Sequence, residues 1–139
     1  MKKILVLIFF TIFYLNSNAQ IEKKSITIKV TNIKSNKGIL MVGIYSCKKD
    51  FLKKPYLKAI GKIKNKKSTI IFNDIEPGTY AISIIHDINS NKKLDFNFLG
   101  IPKEPTAASN NAKGTFGPPS FKDAKFKIGK ENITQTIKF

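Results

Sequence analysis

The sequence predicts an all-β domain, a Greek-key β-sandwich of about seven strands with one long loop. Three observations lead there. Apolar residues recur at every second position in several short segments, the spacing of half-buried strands. Turn-forming residues separate those segments at short intervals. No segment carries the spacing of a long amphipathic helix.

The elements follow in order. Ile26, Ile28 and Val30 alternate with Thr27, Lys29 and Thr31, which makes a first strand. Ser35-Asn36-Lys37-Gly38 is a turn in which Gly38 is free to take positive φ. Residues 39–46 are apolar on both faces and read as a central strand. Asp50 to Pro55 fits one helical turn stopped by the proline. Residues 56–63 and 68–72 are extended segments, the second the stronger. Glu76-Pro77-Gly78 turns the chain into residues 79–86, where Tyr80, Ile82 and Ile84 line one face. Residues 70–86 therefore read as a hairpin at the heart of the sheet. From Asp87 to Ser120 no period is visible, and loops of this length are usually functional or mobile. Alternation returns at Ala124, Phe126 and Ile128, and at Ile133, Ile137 and Phe139, around a turn at Gly129-Lys130-Glu131-Asn132.

The N-terminus has the three parts of an export signal: Lys2 and Lys3, an apolar run from Ile4 to Leu15 broken only by Thr11, and small residues at Ser17 and Ala19. Cleavage is expected between Ala19 and Gln20, leaving 20–139 as one domain that works in the periplasm or beyond. A spanning helix needs roughly 20 apolar residues, and neither this run nor any later one is that long. Cys47 is the sole cysteine, so no internal disulfide forms and the fold rests on its core. It is expected to be a small buried side chain near a strand end. A monomer is the expected state.

The chain has 25 basic residues, all lysine, against 9 acidic ones, for a formal charge of +16 to which Lys2 and Lys3 contribute. Such a charge draws a protein towards anionic surfaces, so envelope polyanions or glycans are candidate partners. Specific nucleic-acid recognition favours the bidentate arginine fork, which is missing. The clusters Lys48-Lys49, Lys53-Lys54 and Lys62 to Lys67 also suit a plain solvated surface.

The richest chemical pattern begins where residues 79–86 end. Asp87, Asn89 and Asn91 place oxygens at alternate positions, and Asp95 follows four further on. A short loop with this spacing can wrap oxygens around a hard cation such as calcium, with the Lys93 carbonyl as another ligand. Two departures weaken it: Lys92 stands where the pattern wants Gly, and Phe98 where it wants a bidentate Glu. A calcium site here would be weak; the competing reading is an Asx-rich turn that satisfies its own backbone.

No catalytic constellation is legible. His86 is the only histidine, and joining it to Asp87 and one of Ser109, Ser120 or Cys47 has no motif behind it. His86 reads instead as the end of a strand, bracing the loop. One His and one Cys do not make a familiar zinc site. Gly114 to Pro119 is not a phosphate cradle, since its prolines remove the amides. Phe96, Phe98 and Phe116 are expected to anchor the long loop in the core rather than to stack on sugars.

The same residues resemble an exported family without assigned activity, the domain of unknown function 2141 family. The resemblance rests on Ile75-Glu76-Pro77-Gly78-Thr79-Tyr80-Ala81, His86-Asp87, Asn89, Asn91, Leu94 and Asp95. It continues through Gly100-Ile101-Pro102-Lys103-Glu104-Pro105, Ser109-Asn110-Asn111, Phe116 to Phe121 and Ala124. The family usually has Gly at the place of Lys92. The Pro-Gly-Thr-Tyr segment also looks like that of prealbumin-like sandwiches, so the resemblance implies a prealbumin- or immunoglobulin-like fold. It adds Glu104, Ser109, Asn110 and Asn111 to His86 as candidate loop residues, and it implies no substrate. The functional expectation is an exported, non-enzymatic binding or accessory module with a weak calcium loop. The alternatives are a lysine-rich polyanion-binding domain and, behind it, an enzyme using His86.

Overall fold

A computed structural model of the chain describes residues 22–139; the export signal read over residues 1–19, and cleavage after Ala19, lie outside the described residues. Alternation builds the first layer. In β1 (Lys24–Thr31), Ile26, Ile28 and Val30 are buried on one face while Lys29 stays exposed on the other. β1 pairs antiparallel with β4 (Ser68–Ile75) and parallel with β8 (Ile133–Lys138), giving a three-stranded sheet in the order β4-β1-β8. A parallel partner needs a long connection, which the whole chain between β1 and β8 supplies.

The second sheet runs β3 (Leu57–Gly61), β2 (Ile39–Tyr45), β5 (Gly78–Asp87), β6 (Thr106–Ala108), and β7 (Phe126–Ile128) also pairs with β5. β2 and β5 are apolar on both faces: one face meets the first sheet, and the other is covered in part. Leu40, Val42, Ile44, Tyr80, Ile82 and Ile84 face the first sheet and join Ile26, Ile28, Val30, Ile75 and Ile137 in the main core. Each fully buried Ile or Leu contributes about 1.5–3 kcal/mol. On the opposite face Tyr45, Phe51, Ala81, Ala108 and Ala124 form a second, smaller cluster. The turn segment around Phe51 and the short helix α1 (Phe121–Ala124) close it, with Phe51 edge-on to both Tyr45 and Phe121.

The fold is the expected all-β sandwich, with eight strands in two sheets among the described residues. The hairpin expected over residues 70–86 is not there. β4 pairs with β1 and β5 with β2, so the Glu76-Pro77 link crosses from one sheet to the other. The cause lies at the end of β4: the β1–β4 register slips between Lys24 and Ile26, and Asp74 takes φ +59. Such a bulge bends its strand and here turns the chain towards the second layer. Tyr80 fastens the crossing by donating its hydroxyl to the Glu76 carbonyl at 2.9 Å.

The region from Asp87 to Ser120 is also not one loop. β6 and a 3-10 turn, Ser109–Asn111, divide it. Three small residues, Thr106-Ala107-Ala108, are too short to show a period. Cys47 is exposed rather than buried, with its thiol 3.3 Å from Asp50 Oδ2. Among the described residues no helix is long and apolar enough to cross a membrane.

Candidate functional site

β5 carries the candidate residues out of the core. His86 and Asp87 end the strand, still paired with Leu40 and Ile39 of β2. The His86 ring is almost completely buried, donates from Nε2 to the Lys37 carbonyl at 2.8 Å and packs near Phe139. Its ring therefore braces the Ser35–Gly38 turn before β2 rather than the loop that follows Asp87.

Asp87 is fully buried, and its two oxygens accept the Asn91 and Lys92 amides at 3.2 and 2.7 Å. Those bonds fold residues 88–92 back over the strand end. Asn89 Oδ1 accepts the Asn91 amide at 3.0 Å, and Asn91 Oδ1 accepts the Lys93 amide at 2.8 Å. These are Asx turns, the local chemistry that favours Asn in such loops. Ser90 and Lys92 take φ +59 and +61. Lys92 thus adopts the left-handed conformation for which glycine is the usual choice at the sharp turn of a cation loop.

The side chains then converge. Asn89 Nδ2 lies 2.8 Å from Asp95 Oδ2, and Asn91 Nδ2 lies 3.2 and 3.0 Å from the two Asp95 oxygens. Asn91 therefore links both aspartates, through its backbone to Asp87 and through its side chain to Asp95. Glu104 adds a third carboxylate. It is buried, and its oxygens accept the Ile88 amide at 3.1 Å and the Asp95 amide at 3.3 Å, so it ties together the two ends of the loop. Neither Lys92 nor Lys93 pairs with these carboxylates; among the described residues the one ion pair joins Lys24 and Glu22 at 2.8 Å. Among the same residues no three His, Cys, Asp or Glu side chains gather as a metal cluster. The oxygen set is instead mixed, from Asn, Asp and the main chain.

Ser109, Asn110 and Asn111 lie apart from this loop and hold the sandwich together. The buried Ser109 hydroxyl accepts the Ile82 amide at 2.9 Å and donates to the Ala124 carbonyl, filling the gap between β6 and β7 along β5. Asn110 donates to the Asp123 and Lys125 carbonyls at 3.1 and 2.9 Å, and Asn111 Oδ1 accepts the Lys138 amide of β8 at 2.8 Å. Ser120 caps α1 by accepting the Asp123 amide at 3.2 Å. The polar atoms of His86 and Ser109 thus serve separate partners.

The phenylalanines do not anchor the loop. Phe98 and Phe116 are 95% and 102% exposed, and Phe96 is 52% exposed. Apolar character alone does not tell an anchor from a projecting tip. The structure also gives two residues roles beyond those that the sequence suggested. Gly38, at φ +79, packs its backbone against Asp87 and Ile88. Asn97 organises the turn that carries Phe98; the spacing Asn97-x-x-Gly100 is the signal that could have found it. An open groove also runs over the outer face of β2, β3 and β5, between Met41, Gly43, Ile60 and Ile85, with Lys58 and Lys92 at its sides.

Comparison with curated proteins and with solved structures returned no match. A family model does match over residues 28–136, and the chain belongs to that family, DUF2141, described as an uncharacterized protein conserved in bacteria.

Proposed function

We propose that this protein is an exported, non-catalytic binding module whose Asp87–Asp95 loop is ordered by calcium. The observation that carries the reading is the convergence of Asn89, Asn91 and Asp95 within 3.2 Å on a loop anchored by a fully buried Asp87. The asparagine amides offer Asp95 partial positive charge, and a divalent cation would take their place. An ionised carboxylate has about four acceptor sites. The amide bonds to Asp87 therefore leave it capacity for a ligand role. The Lys93 carbonyl would complete the set. Low carboxylate number and a lysine at the sharp turn suit the weak end of calcium affinity, about 10⁻⁴–10⁻³ M.

A calcium titration of thermal unfolding tests this, with sodium chloride at matched ionic strength as control. A ligand that binds only the folded form adds about 1.4 kcal/mol at ten times its Kd. Asp95→Asn and Asn89→Ala should lose the calcium shift while keeping the fold. Lys92→Gly should enlarge it, because glycine accepts positive φ and the change removes a cation. If calcium at about 10 mM, above the range for weak sites, does no more than sodium, the loop is a structural Asx turn and the reading fails. Export is tested by the intact mass of protein recovered outside the cytoplasm: a species starting at Gln20 is expected, and one retaining Met1 would reject it.

A second reading is polyanion binding through the lysines. The single ion pair among the described residues favours it, since most lysines are left for outside partners. Binding to acidic glycan should then fall steeply with salt and be indifferent to Asp95→Asn.

A further inference from the structure

We propose that residues 95–103 form a membrane-docking tip, in which Phe98 and Leu99 enter the interface of an anionic lipid bilayer while neighbouring lysines meet its headgroups. The segment is a built hairpin. Lys103 donates its amide to the Asp95 carbonyl at 2.8 Å, Phe96 bridges to Pro102, and the Asn97 amide donates to the Ile101 carbonyl at 2.9 Å. The Asn97 side chain accepts the Leu99 and Ile101 amides at 2.9 and 3.0 Å, and Gly100 takes φ +75 to close the turn. Glu104 fixes the base through the Asp95 amide.

This ordered turn holds large apolar side chains in water. Phe98 is 95% exposed, Leu99 67%, Ile101 55% and Phe96 52%. Large apolar side chains left exposed together on one short turn point to an interaction site. The apolar residues are on a projecting turn, which suits insertion into a soft apolar layer.

Charge selects the anionic bilayer. Lys92, Lys93 and Lys103 flank the hairpin in the chain, are exposed, and form no ion pair among the described residues. The nearby carboxylates are occupied: Asp95 by Asn89 and Asn91, and Glu104 by two backbone amides. An apolar anchor together with basic residues is the two-part signal of reversible interfacial binding.

The test uses the chain from residue 20 onward, which contains every strand of both sheets. Vesicles of phosphatidylglycerol with phosphatidylcholine are compared with phosphatidylcholine alone, in chelator, so that the outcome is independent of the calcium reading. Cosedimentation should favour the anionic vesicles. Changing Phe98 and Leu99 together to Ser should weaken binding roughly tenfold or more without moving the thermal midpoint. Changing Lys92, Lys93 and Lys103 to Ala should weaken binding and flatten its salt dependence.

The protein has no Trp, so Phe98→Trp reports the tip alone. Its emission should shift to the blue on anionic vesicles and be quenched by brominated lipid. No binding to anionic vesicles at low salt overturns the proposal. So does binding that ignores the Phe98 and Leu99 changes, or a Phe98→Trp variant whose emission is unchanged when bound, each of which means lysine adhesion without insertion. Concentration-dependent dimerisation abolished by the same serine changes, with no vesicle binding, would assign the tip to a second copy of the chain and also overturn it.

Discussion

Gly38 lies directly against Asp87: a Cβ at Gly38 would sit 2.1 Å from the Asp87 carbonyl oxygen and 2.6 Å from Ile88 Cα. The turn before β2 and the exit from β5 therefore share one close backbone contact, and the candidate loop starts from it.

Gly38→Ala should destabilise the protein by about 2–4 kcal/mol, from strain at φ +79 and from the backbone shift that the clash forces. Urea unfolding checks the value. Gly129→Ala, where a Cβ meets nothing within 4 Å, is the control and should change stability little.

Glu104 joins the loop ends by accepting the Ile88 and Asp95 amides. Glu104→Gln replaces one acceptor oxygen with a donor and sets it against a backbone N–H. The cost should be about 1–3 kcal/mol. Hydrogen exchange should speed up at Ile88 and Asp95 more than at the β1 amides, which belong to the other sheet.

Ser109→Ala should cost about 2–4 kcal/mol, because it leaves both the Ile82 amide and the Ala124 carbonyl without their partner. A thermal midpoint within about 1 °C of wild type, well under the shift expected from 1 kcal/mol in a domain of this size, would mean that water replaces the hydroxyl there.

Burial, followed by the nearby charges of Tyr56 and Glu76, raises the Tyr80 hydroxyl above its ordinary pKa of 10.0. The folded protein thus holds this proton more tightly than the unfolded chain does. The associated stability is complete below pH 10 and is lost as pH rises through the folded value. Tyr80→Phe should cost about 1 kcal/mol at neutral pH, from the bond to the Glu76 carbonyl. That difference should shrink as pH climbs above 10, which unfolding curves for the two proteins at several alkaline pH values would show.

Much of this protein is determined by local pattern. Alternation at Ile26, Ile28 and Val30, the two-sided apolar run of β2, and Tyr80, Ile82 and Ile84 of β5 identify strands because burial on a pleated strand has a period of two. The Asx spacing from Asp87 to Asp95 likewise foretells a loop wrapped on its own oxygens, since those bonds span only a few residues. Period two shows which face of a strand is buried; it does not name the partner. The separation of β4 from β5 into different sheets was therefore decided by the bulge at Asp74 and by packing between layers. Ser109 reads as a candidate site residue until β5 and α1 close around it. Phe98 reads as a core anchor until Asn97 and Gly100 turn it into water. Gly38 meets Asp87 across a long stretch of sequence. Contacts of that range exist only once distant strands have paired and packed, here β2 beside β5, and no local pattern of residues encodes them.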